Sequence, residues 1–313
     1  MFSFIIRRVL ATIPVMGVVA VFVFLLLHLS PGDPATVIAG DYASSEDIAR
    51  IRAQLGLDQP LHIQFATWIG RLMQGDLGIS IFSNLPVSTL IAQRLEPTLA
   101  LAALTLVFAV LVAVPLGTIA AWKSGSLIDR FVMGFAVLGF SVPVFVLGYV
   151  LIYLFAIKLG MFPVQGYANI ADGVLPFLHR LVLPSLTLSV IFIALIARIT
   201  RASVLEVLSE DYVRTAYAKG LPERLVLLRH ALRNAAVPII TVIGIGFSLL
   251  IGGVVVTESV YNIPGLGRLT VDAVLRRDYP VIQGIILVFS AAYVVVNLVI
   301  DLLYTVFDPR IRY

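Results

Sequence analysis

The chain has 313 residues, 60% of them hydrophobic and 13% charged, with no cysteine and a formal charge of +4. Soluble globular chains carry roughly 45–50% apolar and about 25% charged residues, so the excess apolar mass, gathered here into long blocks, points to a lipid-exposed protein. The lack of cysteine excludes disulfide staples and thiolate metal sites, and a small positive charge dispersed among loops excludes the basic patch of a nucleic-acid binder.

A spanning helix needs about 20 mostly apolar residues. Six segments meet this: Val9–Leu29, Leu99–Trp122, Phe131–Ile157, Leu181–Ala197, Ile239–Thr257 and Val281–Phe307. They predict an all-α integral membrane protein of about six transmembrane helices. The first is read as a retained anchor rather than a secretory leader. Its apolar stretch exceeds a leader's core, and no small-x-small cleavage site follows it. The basic residues set the orientation. Arg7 and Arg8, Lys123 and Arg130, seven residues from Arg198 to Arg233, and Arg310 and Arg312 share one side. The positive-inside rule then places both termini in the cytoplasm.

On that topology residues 30–97 form an external insertion. Ser44 and Asp47 fit a capping box. Ile48, Ile51 and Leu55 follow at helical spacing, and Gly56 ends the helix. A second helix starts near Pro60, with Leu61, Phe65, Trp68 and Leu72 as its apolar stripe, and Gly75 closes it. These stripes carry no basic polar face, so the expectation is packing on the protein rather than on the membrane surface.

Spans two to four contain Pro115, Pro143 and Pro184, which predict kinks that a gated path can use and that any membrane bundle tolerates. Gly117–Ser124 (GTIAAWKS) nearly imitates a phosphate loop, but Trp122 replaces the second glycine. Backbone amides there cannot face a phosphate. The chain is therefore expected to bind no ATP or other cofactor itself.

The segment after span four (SEDYVRTAYAKGLPERLVLLRHALRNAAVP, Ser209–Pro238) is the most informative polar region. Ser209 is expected to cap a helix whose first turn holds Glu210 and Asp211. Lys219 sits in the last turn, and Gly220 adopts the left-handed conformation beyond it. Pro222 suits the first turn of a second helix, which feeds span five. The first helix shows Tyr212, Val213, Ala216 and Tyr217, and is too short to form a core alone, so a cytoplasmic partner is expected on it.

In span five Gly244, Ser248 and Gly252 recur every four residues, a pattern that serves close packing in this chain, a second subunit, or a pathway. The following ESVYNIPGLG contains Glu258, Pro264, Gly265 and Gly267. It reads as either a tight gate loop or a surface turn. Asp301 lies in span six and is expected to bind a neighbouring helix. His28, His62, His179 and His230 have no metal-ligand spacing. No catalytic constellation and no metal site is expected. An ion-coupled transporter would show similar halves and several intramembrane acids, and neither is evident.

Counted from Gly220, the segment carries Ala216, Gly220 and Leu232 at three positions of the Glu-Ala-Ala loop of ATP-binding-cassette permeases, with Arg214 and Thr215 replacing the glutamate and first alanine. DYVRTAYAKGL and RHALRNAAVP resemble the peptide and nickel branch of that family. So do LSPGDPA (Leu29–Ala35), LGLDQPL (Leu55–Leu61), GDLGIS (Gly75–Ser80), PGLGRL (Pro264–Leu269), RDYPVIQG (Arg277–Gly284) and DPRIRY (Asp308–Tyr313). The resemblance spans residues 1–313 and implies a type I importer permease in the bacterial inner membrane. By that resemblance it is expected to carry peptides or glutathione-like solutes, or alternatively nickel. It implies a second permease, two cytoplasmic ATPases that hold ATP and Mg, an external solute-binding protein, and surrounding lipid. Residues 199–236 would be the ATPase-coupling segment, with Asp211, Arg214, Thr215, Ala216, Lys219 and Gly220 as its contact residues.

Overall fold

The computed structural model describes residues 2–29, 35–36, 44–54 and 56–307. They divide into two compact units, one of Met1–Leu95 with Arg268–Val294 and one of Glu96–Gly267 with Val295–Tyr313.

The first unit opens with α1 (Phe2–Leu29) and continues with α2 (Ser45–Gln54) and α3 (Leu61–Met73). Gly56 ends α2 at φ +68° and Gly75 follows α3 at φ +79°, both in the region that favours glycine. Pro60 is the N-cap of α3, as its fixed φ suits. The apolar stripe of α3 packs on α1. Phe24 meets Phe65 edge-on at 5.2 Å and Trp68 at 5.9 Å, and His28 Nε2 lies 3.0 Å from Gln64 Oε1. Helix α3 is therefore held on protein, as its stripe implies. Ser44 precedes α2 and its carbonyl accepts from Ile48 N–H at 3.1 Å. The Asp47 side chain lies outside the described residues, as do most of LSPGDPA and all of DPRIRY.

Residues 76–86 form a tight hairpin with one bridge, Ile79 to Pro86. The Ser80 hydroxyl donates to Asp278 Oδ2, and Ile81 N–H donates to Asp278 Oδ1 at 3.1 Å. GDLGIS and RDYPVIQG, far apart in sequence, thus meet at one buried carboxylate. Gly284 lets the helix after Asp278 approach closely, since an added Cβ there would meet Val87 at 2.6 Å.

Helix α4 (Val87–Trp122) begins in the first unit and runs into the second. There α5 (Leu127–Ser141), α6 (Val144–Leu151, widening into π-helical turns over Ile152–Lys158) and α10 (Ala236–Val260) all pack on α7 (Val174–Leu208). Helix α7 has the richest buried face, which includes Leu181, Leu188, Phe192 and Ile196. Small residues set the closest crossings. A Cβ on Gly117 of α4 would meet the Ala197 carbonyl at 2.5 Å, and one on Gly139 of α5 would meet Ala194 at 3.1 Å. Beyond α7 come α8 (Asp211–Ala218) and α9 (Glu223–Leu225, continued by π-helical turns over Val226–Leu232). After α10 follow α11 (Leu266–Leu275) and α12 (Tyr279–Phe307).

Among the described residues four helices are long and apolar enough to cross a membrane, and counting each of two bent pairs as one span makes six. Two helices exceed the predicted spans by the most. Span two starts at Val87 rather than Leu99, and span four covers Val174–Leu208 rather than Leu181–Ala197. Span three is broken rather than kinked. Val142 sits at φ −87°, ψ 122°, out of the helical region as a residue before proline must, and Pro143 caps a new helix inclined at 105° to the last. Pro115 and Pro184 remain inside continuous helices.

Candidate functional site

The helix–glycine–helix device between spans four and five is present, with two corrections. Ser209 does not cap the first helix. Its hydroxyl donates back to the Glu206 carbonyl at 2.7 Å and closes α7, and Glu210 takes the N-cap position of α8. Pro222 is the N-cap of α9 rather than its first helical residue.

Helix α8 ends in a paired C-terminal motif. Leu221 N–H donates to the Ala216 carbonyl at 3.3 Å, and Gly220 N–H donates to the Tyr217 carbonyl at 2.9 Å. This closure requires a left-handed residue between them, and Gly220 has φ +76°. The space beside Gly220 is open, with nothing within 4 Å of an added Cβ. Glycine is therefore needed here for its backbone and not for room.

The apolar face of α8 is covered within this chain. Val213 and Ala216 are buried against Val226, together with Val207, Leu208 and Leu221. The segment carries its own small core, built from α7, α8 and α9. Eight residues could not hold a helix alone, and this core is what holds it. Tyr212 and Tyr217 stay exposed, at 44% and 43%. Asp211, Arg214 and Lys219 are exposed beside them. Arg214 Nη1 reaches Asp211 Oδ1 at 3.2 Å, and the Thr215 hydroxyl donates to the Asp211 carbonyl at 3.0 Å. Of the six residues singled out from sequence, Ala216 faces inward, so Tyr212 and Tyr217 replace it on the outer face.

The loop after span five is a buried assembly rather than a surface turn. Glu258 is fully buried. The Thr98 hydroxyl donates to Glu258 Oε1 at 2.6 Å, and Leu266 N–H donates to Thr98 Oγ1 at 2.7 Å. Gly265 and Gly267 lie against the Glu258 carboxylate, where any Cβ would collide. Tyr261 is buried with its hydroxyl 2.6 Å from Thr187 Oγ1. Pro264 alone of the four selected residues is exposed.

In span five Gly244 packs against Ile300 of the same chain. The side-chain surroundings of Ser248 and Gly252 lie outside the described residues. Asp301 has a polar or electrostatic partner.

Sequence reading missed one site. Buried Asp129, in the first turn of α5, is held by Arg201 of α7, with Nη2 2.7 Å from Oδ2, and by Gly125 N–H at 2.9 Å. The available signal was Ser126, three residues before Asp129 in a capping pattern: its hydroxyl accepts from Asp129 N–H at 3.4 Å. Nothing in the sequence pairs Asp129 with a helix some seventy residues on.

Comparison with known proteins supplies the family. Residues 113–313 match the model for the binding-protein-dependent transport system inner membrane component, and residues 1–102 match its N-terminal membrane component. A probable peptide ABC transporter permease protein of Sinorhizobium fredii is 55% identical over 99% of both chains. A glutathione transport system permease protein of Salmonella paratyphi A is 48% identical over the whole of both. With both family models matched and near-complete relatives of this identity, the chain belongs to the inner membrane components of binding-protein-dependent transport systems, as an ABC-importer permease and not an ATPase.

Proposed function

We propose that this permease carries peptides or small peptide-like solutes such as glutathione into the cell. Its full-length similarity to peptide and glutathione permeases supports that class of solute. The importer would comprise this chain, a second permease, two cytoplasmic ATPases with their ATP and Mg, and an external solute-binding protein. Both termini would lie in the cytoplasm, on the side that holds most Lys and Arg.

The observation that carries the coupling role is the geometry of α8. The helix is clamped on one side by Val213 and Ala216, while Tyr212 and Tyr217 face outward. A rigid short helix with exposed aromatic side chains suits a groove on a partner. Gly220 fixes the angle at which it leaves the chain. Closure of an ATPase around this helix would move α7 and α10, to which the segment is joined.

The test is uptake by proteoliposomes holding this permease with its neighbouring transport subunits. ATP-dependent accumulation of a labelled peptide is expected, and the purified chain alone should hydrolyse no ATP. Uptake driven by an ion gradient without ATP would overturn the reading. So would the same extravesicular accessibility for labels at residues 60 and 220.

A further inference from the structure

Two arginines one turn apart on α7 have opposite surroundings. Arg201 is neutralised by buried Asp129. Arg198 is exposed, and its guanidinium lies over the Phe140 ring, 5.5 Å from the centroid. Among the described residues no carboxylate stands within ion-pair distance of Arg198. The cation opens onto a cleft of about 330 Å³ between α5 and α7. Buried Ala136 lines it with Val137 and Phe140, and Ser141 is its one other polar side chain. The Ser141 hydroxyl is spent on the Val137 carbonyl at 2.9 Å.

A cation toward the end of a spanning helix is costly unless an anion or water meets it. The chain answers this cost for Arg201 with a dedicated aspartate and leaves Arg198 with an aromatic face only. Guanidinium is weakly hydrated and binds carboxylate or phosphate through a two-pronged fork. The apolar walls favour a ligand whose anionic end is joined to an apolar part. The volume falls at the lower end of small-molecule pockets.

We propose that Arg198 and this cleft form a binding site for an oxyanion, a carboxylate or phosphate, with the apolar part of the ligand against Val137 and Phe140. One source is the C-terminal carboxylate of a peptide-like solute, which rests on the function proposed above. The other is the phosphate of an anionic lipid. In either case Arg198 is the recognising group.

The test uses the assembled, delipidated transporter in dodecyl maltoside, which carries no phosphate or carboxylate, and the arginine reagent phenylglyoxal, with modification of Arg198 followed by mass spectrometry and exposed Arg130 as the internal reference. Four conditions are compared: detergent alone, added dialanine, added dialanine amide, and added phosphatidylglycerol. At ten times its dissociation constant an oxyanion ligand slows the reaction about tenfold, because only free sites react. Protection by dialanine and not by its amide supports a solute carboxylate. Protection by phosphatidylglycerol and not by dialanine supports a lipid phosphate. Equal rates in all four conditions overturn the proposal. Failure to react in the detergent alone, where no oxyanion is present, also overturns it, since a neighbouring subunit then closes the cleft. If the transporter takes up no peptide while protection persists, the proposed solute class fails and the oxyanion site stands.

Discussion

Arg201 of α7 holds Asp129 of α5 in a pair whose carboxylate is almost wholly out of solvent, while the guanidinium keeps a quarter of its surface. The same carboxylate accepts from Gly125 N–H, so one aspartate joins the turn before α5 to the face of α7. Breaking a buried pair on one side leaves an uncompensated charge.

Asp129→Ala should therefore destabilise the protein by about 3 kcal/mol, the lower end of the range for breaking buried pairs because Arg201 is partly solvated. Thermal unfolding of the purified permease in detergent checks this. The double variant Asp129→Leu with Arg201→Leu should unfold at a temperature closer to the native protein than either single change. An unchanged midpoint for Asp129→Ala would show that the pair contributes little.

Gly220 and Gly125 have nearly the same backbone, φ +76° and φ +79°, with open space around both. A valine at either position should cost about 1–2 kcal/mol of left-handed strain. The consequences should differ by place. Gly220→Val should lower transport and loosen the coupling of ATP hydrolysis to solute, with membrane abundance near normal. Gly125→Val should lower abundance, because it disturbs the amide that serves Asp129. Gly125 is thus no neutral control for Gly220. Normal transport by assembled Gly220→Val complexes would remove the coupling role from this turn.

Tyr212→Ala with Tyr217→Ala should weaken co-purification of the ATPase subunits and leave the unfolding temperature of the permease unchanged, since both rings are exposed. Val213→Ala removes two methyl groups from the small core under α8 and should cost about 1 to 2 kcal/mol. A variant pair with the reverse pattern, stable ATPase binding and lost permease stability for the tyrosines, would contradict the outward role given to them.

Gly265→Ala should reduce membrane abundance several-fold, because its Cβ would overlap the buried Glu258 carboxylate. Gly267→Ala should act similarly, with Val255 Cα at 2.7 Å from the added atom. Pro264→Ala is the comparison, with its side chain exposed and little effect expected. Immunoblotting of membrane fractions separates the three. Equal abundance for all would mean that the loop rearranges freely around Glu258.

The sequence by itself determined the membrane class, the turn at Gly220 and the two short helices that precede α4. Each is written in local chemistry: about 20 apolar residues in a row, a glycine past a short amphipathic helix, a proline at a helix start. The tertiary structure alone decided which polar groups meet. Asp129 found Arg201, Ser80 found Asp278, and Thr98 found Glu258, across 72, 198 and 160 residues of chain. It also turned Val213 and Ala216 inward, onto Val226 of the next helix. The physical reason is that periodicity records which side of a helix is apolar, whereas the partner of that side depends on how distant helices pack. Gly117 and Gly139 set two of those approaches on α7, and nothing in their neighbouring residues names the helix they touch.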